Sequence, residues 1–138
     1  MQDNRISVII PAYQAAQTIE RALRSVSLQT LKPGEVVIVD DGSNDDTVVA
    51  AETLRPIFQE VDFLIFRQGN KGAGAARNKA INRSSGSILA FLDADDEWLP
   101  EKLERSMAEL DTGSYSLVAH NGWIVDGNDN IRNDCAFR

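Results

Sequence analysis

The sequence predicts an α/β fold in which a mostly parallel sheet carries helices on both faces. Four short, β-branched apolar runs alternate with segments whose apolar residues recur at helical spacing. The runs are almost continuously apolar, which is typical of strands buried on both faces. With 138 residues, of which 43% are hydrophobic and 25% charged, the chain is long enough to bury such a core. We therefore expect one domain over residues 1–138.

The elements follow in a regular order. Strands are predicted at residues 6–10, 36–39, 61–66 and 87–92. Helices are predicted from the spacing of apolar residues at 18–30, 45–54, 75–82 and 100–110. We expect Pro11 to end the first strand and Thr18 to cap the first helix. Two further strands are predicted at 115–119 and 123–125, with a turn at Gly127, whereas residues 130–138 show no clear element.

Composition excludes several classes of function. The 14 basic and 21 acidic residues give a net charge of -7, which argues against a general nucleic-acid-binding protein. Cys135 is the single cysteine, so no internal disulfide is expected and a reducing compartment suits the chain. The polar N-terminus and the lack of a long apolar run predict neither a signal peptide nor a transmembrane segment. We expect a cytoplasmic protein, with a peripheral membrane contact left open.

Polar clusters follow each predicted strand. They lie at residues 11–13, 40–43, 69–77 and 93–96. In open parallel sheets, ligands bind outside the carboxyl ends of the strands. We therefore expect the clusters to converge on one crevice.

Three acids, Asp93, Asp95 and Asp96, come directly after the fourth strand. Carboxylates this close repel one another unless a cation lies between them. A hard divalent ion relieves that repulsion, and magnesium completes its shell with substrate phosphates. The alternative is a solvated loop that caps the next helix, and the three acids alone leave both interpretations open.

The glycine-rich loop at 69–74 follows a strand and opens a helix, which is the context of phosphate binding. Arg77 stands where a dinucleotide fingerprint has its third glycine, and the ending of a P-loop is absent. Lys71 and Arg77 can neutralise phosphate oxygens, although both are also explained as surface charges. A dinucleotide-binding oxidoreductase stays open as an alternative, disfavoured by Arg77 and by the acids from Asp93 onward.

Asp40 and Asp41 end the second strand, where burial of two acids requires hydrogen bonds or ion pairs. A capped turn explains Ser43 but not Asp40. A phosphoacceptor receiver domain also gathers aspartates at strand ends, but it needs a lysine at a later strand end, which this chain lacks. His120 is the single histidine, so no Ser-His-Asp triad is expected.

Taken in order, these segments resemble the family-2 glycosyltransferases. The matching segments are Ser7–Tyr13, Ser25-Val26 with Gln29-Thr30, Val37–Ser43, Ala75–Asn78, Phe91–Asp96, Trp98–Pro100 and Lys102-Leu103. Each segment alone is weak evidence for the family. The whole set in this order is specific for the family and covers most of the chain. The resemblance implies the Rossmann-like GT-A fold, a nucleoside-diphosphate sugar as donor, with a UDP-sugar favoured, and Mg²⁺ or Mn²⁺ as cofactor.

The resemblance also implies roles for individual residues. Pro11 and Tyr13 would flank the nucleotide base, and Asp41 would hydrogen-bond it. Arg77 would lie near the base or the diphosphate. Asp93 and Asp95 match the family's Asp-x-Asp motif, with Asp93 facing the ribose and contributing to the metal site and Asp95 binding the metal. The family transfers its sugar with inversion at the anomeric carbon.

Two departures from the family pattern stand out. Lys79 replaces a common glycine, and no residue matches the family's general base; Asp126 and Asp129 do not fit that motif. We therefore expect the donor-binding half of an enzyme truncated on its acceptor side, with an unidentified saccharide or lipid-linked acceptor. A non-catalytic nucleotide-binding module is the alternative.

Overall fold

Four parallel strands form the main sheet, namely β1 (Ile6–Ala12), β2 (Glu35–Asp40), β3 (Asp62–Arg67) and β4 (Ile88–Phe91). Their order across the sheet is β3-β2-β1-β4. The structure is a computed structural model that describes residues 4–126 and 128–135, with the backbone alone for 131–135. All four strands match the predicted runs to within one or two residues, and their parallel pairing confirms the predicted sheet.

Helices cover both faces of this sheet, as predicted. The helices are α1 (Ile19–Ser27), α2 (Thr47–Glu52) and α3 (Ala73–Arg83), with a 3-10 turn at Arg55–Ile57 after α2. Val8 and Ile10 of β1 pack in one core cluster with residues of α1 and α2. Ile9, between them, packs on the opposite side with Ala76 and Ala80 of α3. Because successive side chains of a strand point to opposite faces, one apolar strand serves both clusters.

Pro11 does not end β1, contrary to the prediction, because the strand continues to Ala12. The Leu92 amide donates to the Ile9 carbonyl, so Ile9 turns its backbone groups toward β4. Two residues on, the Pro11 nitrogen faces the same side, but it has no hydrogen to donate. Pairing between β1 and β4 stops at Ile9 and Phe91, while pairing between β1 and β2 continues through Ala12. Pro11 thus ends the hydrogen bonding between β1 and β4, while β1 itself continues.

The chain divides into two compact units, Met1–Glu104 and Arg105–Arg138. The sheet and the helices α1 to α3 belong to the first unit. Helix α4 (Lys102–Asp111) spans the division, and the second unit contains the antiparallel pair β5 (Gly122–Val125) and β6 (Ile131–Cys135). In the part of the chain that the structure describes, no helix is both long and apolar enough to span a membrane.

The second unit corrects two predictions. Residues 115–119 form no strand, and Leu117 in this run is 80% exposed. A β-branched or apolar run becomes a strand only where it gains a partner and a buried face, and this run gains neither among the described residues. Conversely, β6 forms from the polar sequence IRNDC because it pairs with β5. The predicted turn residue Gly127 lies outside the described residues.

Candidate functional site

The carboxyl ends of the parallel strands bring the predicted polar clusters to one edge of the sheet. Ala12 is paired with Asp40, and Asp40 is paired with Arg67, so β1, β2 and β3 end level with one another. The Asp41 amide donates to the Ala12 carbonyl at 2.8 Å, which ties the first two strand ends together. The polar segments that follow β1, β2 and β3 therefore start at the same edge of the sheet.

Asp41 organises the glycine-rich loop. The residue is 3% exposed, and its Oδ1 accepts hydrogen bonds from Gln68 Nε2 and the Lys71 amide, each at 2.8 Å. Its Oδ2 accepts one from the Gly72 amide, also at 2.8 Å. Burial raises the pKa of Asp41, but these three hydrogen bonds outweigh it and hold the pKa below its ordinary value of 3.8. Asp41 is thus ionised at neutral pH and fixes the loop at 68–72.

Gly42 allows this loop to come close to the end of β2. Its φ of +79° lies in the left-handed region. A Cβ at this position would lie 2.9 Å from the Asn70 amide nitrogen and 3.3 Å from the Gln68 carbonyl oxygen. Only glycine satisfies both conditions, so Asp41 and Gly42 together set the position of the loop.

Asp40, which turn capping could not explain, is buried and forms an ion pair with the exposed Arg67. Its side chain is 0% exposed, and its Oδ2 lies 2.9 Å from Nε of Arg67. The same carboxylate oxygen accepts the Ser43 amide at 3.2 Å, and Arg67 Nη2 donates to the Ser43 carbonyl at 2.8 Å. Arg67 therefore locks the turn after β2, a role that no sequence pattern indicated.

The segment after β1 is held by side chains of the turn after β2 and of the start of α2. Tyr13 is 51% exposed, while the next two backbone amides are bound. The Gln14 amide donates to Ser43 Oγ at 2.9 Å, and the Ala15 amide donates to Thr47 Oγ1 at 2.8 Å. Gln14 has a φ of +49°, an uncommon value for a non-glycine residue. Ser43 and Thr47 thus fix the backbone that carries Tyr13, and Pro11 lies buried just before it.

Arg77 and Asp93 form an ion pair across the edge of the sheet. Arg77 Nη2 on α3 lies 2.6 Å from Asp93 Oδ1, and the two side chains are 36% and 48% exposed. Asp93 follows β4, so this contact joins the acidic turn to the helix that the glycine-rich loop opens. The pair is open to solvent, and the guanidinium is free to exchange one anionic oxygen for another.

The acidic turn after β4 carries more negative charge than its neighbours neutralise. Asp95 and Asp96 are exposed, and the Asp96 amide donates to the Asp93 carbonyl at 3.1 Å. Burial and the charges of Asp95 and Asp93 raise the pKa of Asp96 above its ordinary value, and Arg21 offsets this in part. Clustered carboxylate oxygens with uncompensated charge are a donor set that Mg²⁺ or Mn²⁺ fits.

The side chains of the acidic turn do not form a complete metal site by themselves. Within residues 4–126 and 128–130, no three His, Cys, Asp or Glu side chains are gathered closely enough to enclose an ion. Magnesium in phosphate sites is commonly held by one or two carboxylates together with the phosphates of the substrate. The acidic turn therefore fits an ion that is bound jointly with a phosphorylated ligand.

The chain belongs to glycosyl transferase family 2, whose sequence profile matches residues 7–135. An uncharacterized glycosyltransferase of Nostoc sp. is 41% identical over 91% of this chain and 38% of its own length. The Escherichia coli enzyme WfgD, a UDP-Glc:alpha-D-GlcNAc-diphosphoundecaprenol beta-1,3-glucosyltransferase, is 34% identical over 93% of this chain and 49% of its own length. The chain thus spans less than half the length of either relative.

Solved glycosyltransferase structures share the fold. Residues 1–349 of Staphylococcus aureus TarS, in complex with UDP-GlcNAc, superpose with a TM-score of 0.71 and 32% identity, over 78% of this chain and 31% of the TarS fragment. The mannosyltransferase PcManGT of Pyrobaculum calidifontis, in complex with GDP-Man and Mn²⁺, gives a TM-score of 0.63 and 31% identity, over 68% of this chain and 28% of its own. The resemblance seen in the sequence and the expected GT-A fold are both confirmed.

Proposed function

We propose that this chain carries the donor site of an inverting glycosyltransferase that uses a UDP-sugar and a divalent cation. The observation that carries the proposal is the carboxyl edge of the sheet. Tyr13 follows β1, Asp41 follows β2, and Asp93, paired with Arg77, follows β4. The fold and family agree with this assignment, and TarS was crystallised with UDP-GlcNAc.

The base side of the donor site is proposed to lie at the ends of β1 and β2. Pro11 and Tyr13 supply apolar and aromatic surface for the uracil ring. Asp41 offers one further acceptor position on Oδ2, because a carboxylate accepts about four hydrogen bonds and three are made within the protein. A base N–H that reaches Asp41 would thus add to the loop contacts without replacing them.

The diphosphate side is proposed to lie between α3 and the acidic turn. Asp95, with Asp93, would hold the divalent cation, and Asp93 would also face the ribose. When bound, such an ion offsets the negative charge that grows on the departing nucleoside diphosphate. Arg77 leaves Asp93 for a diphosphate oxygen in this proposal, since its guanidinium already lies at the site and pairs with either anion. No residue of the chain is assigned as the general base.

Calorimetry with UDP tests the proposal. Wild-type protein is titrated with UDP in the presence of Mn²⁺, Mg²⁺ or excess chelator, and with GDP and dTDP in parallel. We expect binding of UDP that Mn²⁺ strengthens. The Asp95→Asn variant should lose the metal dependence, because its amide is a poorer ligand for a hard cation. Asp129→Asn is the matched control, because Asp129 has a φ of +60° that asparagine also accepts.

Two results would contradict the proposal. One is an absence of metal-dependent binding for all three nucleotides. The other is unchanged metal dependence in the Asp95→Asn variant, which would remove Asp95 from the metal site while leaving a nucleotide-binding function possible.

A further inference from the structure

Three polar residues, Arg21, Ser25 and Gln29, form a stripe along helix α1 and its C-terminal end. The other buried residues of the helix are apolar. Arg21, Ser25 and Gln29 are spaced four residues apart, so their side chains lie along one side of the helix and its end. Ser25 is 7% exposed and Gln29 is 1% exposed. Polar side chains are buried at a cost unless they are hydrogen-bonded, so the stripe requires partners.

Each of the three side chains bonds to main-chain groups of residues 95–103, which begin within the acidic turn. Ser25 and Gln29 also donate within α1, to the Ala22 and Ser25 carbonyls. Arg21 Nη2 donates to the Asp95 carbonyl at 3.2 Å. Ser25 Oγ accepts the Trp98 amide at 3.0 Å. Gln29 bonds to two further residues of this segment. Its Nε2 donates to the Leu99 carbonyl at 2.8 Å, and its Oε1 accepts a hydrogen bond from the Leu103 amide at 2.9 Å.

This segment lacks a strand partner, and its remaining support is the Thr30 amide bond to the Pro100 carbonyl at 2.9 Å and the packing of Trp98 against the core. β4 ends at Phe91 and α4 begins at Lys102, so the residues between them belong to neither a strand nor a helix. Contacts from α1 at Asp95, Trp98 and Leu99 take the place of a backbone ladder. Since these contacts involve main-chain atoms, they fix the path of the chain while leaving the carboxylate of Asp95 available.

We propose that Arg21, Ser25 and Gln29 are positioning residues that hold the acidic turn so that Asp95 meets the divalent cation. Arg21 acts on Asp95 itself, and Ser25 and Gln29 anchor the following residues. None of the three touches donor or metal. This inference rests on the proposed function, in which Asp95 is a metal ligand.

The charge of Arg21 makes the inference sharply testable. Arg21 is 51% exposed in its side chain, and its Nε lies 3.9 Å from the Glu97 carboxylate. If Arg21 acted only through its charge, its removal would make the turn more negative and would strengthen cation binding. If it positions Asp95, its removal weakens cation binding. The two effects have opposite signs.

The experiment compares Arg21→Gln with Arg24→Gln in the full chain. Arg24 lies on the same helix, is 54% exposed and pairs with Glu20 at 2.8 Å, so its replacement removes the same charge without touching the turn. Mn²⁺ affinity is measured by electron paramagnetic resonance at saturating UDP, and UDP affinity is measured separately in chelator. We expect about tenfold weaker Mn²⁺ affinity for Arg21→Gln, the lower end of the effect of replacing groups that orient metal ligands. UDP affinity in chelator should not change.

Two further variants keep the proposal falsifiable. Arg21→Lys retains the charge and a donor and should recover part of the Mn²⁺ affinity. Ser25→Ala removes the anchor at Trp98 and should weaken Mn²⁺ binding without altering UDP binding in chelator. Unchanged or stronger Mn²⁺ binding by Arg21→Gln, relative to Arg24→Gln, overturns the positioning role and leaves the proposed function standing. Absence of metal-dependent UDP binding in the wild type overturns both.

Discussion

At the scale of single residues, Gly42 is the position where a small change should have a large effect. Replacement by alanine places a Cβ 2.9 Å from the Asn70 nitrogen and forces a side chain into a φ of +79°. We expect Gly42→Ala to lower the free energy of unfolding by about 1–3 kcal/mol, because the backbone strain and the contact add. Chemical denaturation measures this loss, and UDP binding should weaken with it because the loop at 68–72 is displaced.

Gly74 provides the matched control at this scale. It lies within α3, and a Cβ there meets no atom within 4 Å. Gly74→Ala should leave stability unchanged or raise it by about 0.5–1 kcal/mol, since alanine loses less backbone entropy in a helix. If Gly42→Ala and Gly74→Ala changed the free energy of unfolding equally, the close approach of the loop to Gly42 would not contribute to stability.

The sequence predicted which residues reach the site better than it predicted what they do there. Asp41 and Arg77 were identified because polar residues follow strands, and parallel strands end at one edge. Their contacts were not predictable, because a one-dimensional pattern does not show that the Lys71 and Gly72 amides converge on one carboxylate. Arg67 and Arg21 were missed since charged residues near strand ends or on helices are ordinarily surface residues.

At the scale of elements, Glu35 joins the starts of three strands. The side chain is 3% exposed and accepts hydrogen bonds from Ser7 Oγ at 2.5 Å and from the Ser85 and Gly86 amides at 2.5 and 3.3 Å. Burial raises the pKa of Glu35, but the hydrogen bonds outweigh it and leave the pKa below the ordinary value of 4.5. β1, β2 and the approach to β4 are therefore linked through one ionised carboxylate.

This linkage predicts an acid-dependent contribution to stability. Because the pKa is lower in the folded protein, the stabilisation is present above the unfolded value of 4.5 and is lost as the pH falls through the folded value. Glu35→Gln should cost about 1–3 kcal/mol at neutral pH and less near the acid limit. Urea unfolding across this pH range measures it, with the exposed Glu60→Gln as control. A constant difference between wild type and Glu35→Gln at every pH would contradict the assignment.

Elements with two buried faces were also the ones that the sequence predicted well. β1 and β2 are apolar throughout because helices cover both of their sides, and such runs are distinctive. The run 115–119 and the polar β6 were predicted wrongly, because strand formation there depends on pairing with a neighbour rather than on apolar pattern. Local propensity carries little information where burial does not reinforce it.

At the scale of the whole molecule, the proposed donor residues all lie within the first unit. Pro11 and Asp95 are the first and last of them, and the unit ends at Glu104. We expect a chain that ends after Asp111, the last residue of α4, to bind UDP in the presence of Mn²⁺ as tightly as the full chain. Calorimetry on both chains, with circular dichroism to check folding, measures this. Loss of binding in a folded shorter chain would mean that residues 112–138 contribute to the donor site.

The position of β4 beside β1 also bears on the order in which the chain assembles. β1, β2 and β3 pair with their sequence neighbours, whereas β4 must return across the sheet to Ile9. Pairings between distant segments close larger loops and form more slowly, and the N-terminal strands leave the ribosome first. We expect the proposed base-binding side to be in place before the acidic turn arrives, which pulse-labelled hydrogen exchange would detect as late protection of β4. In a newly made chain, the edge proposed to bind the cation would then form last.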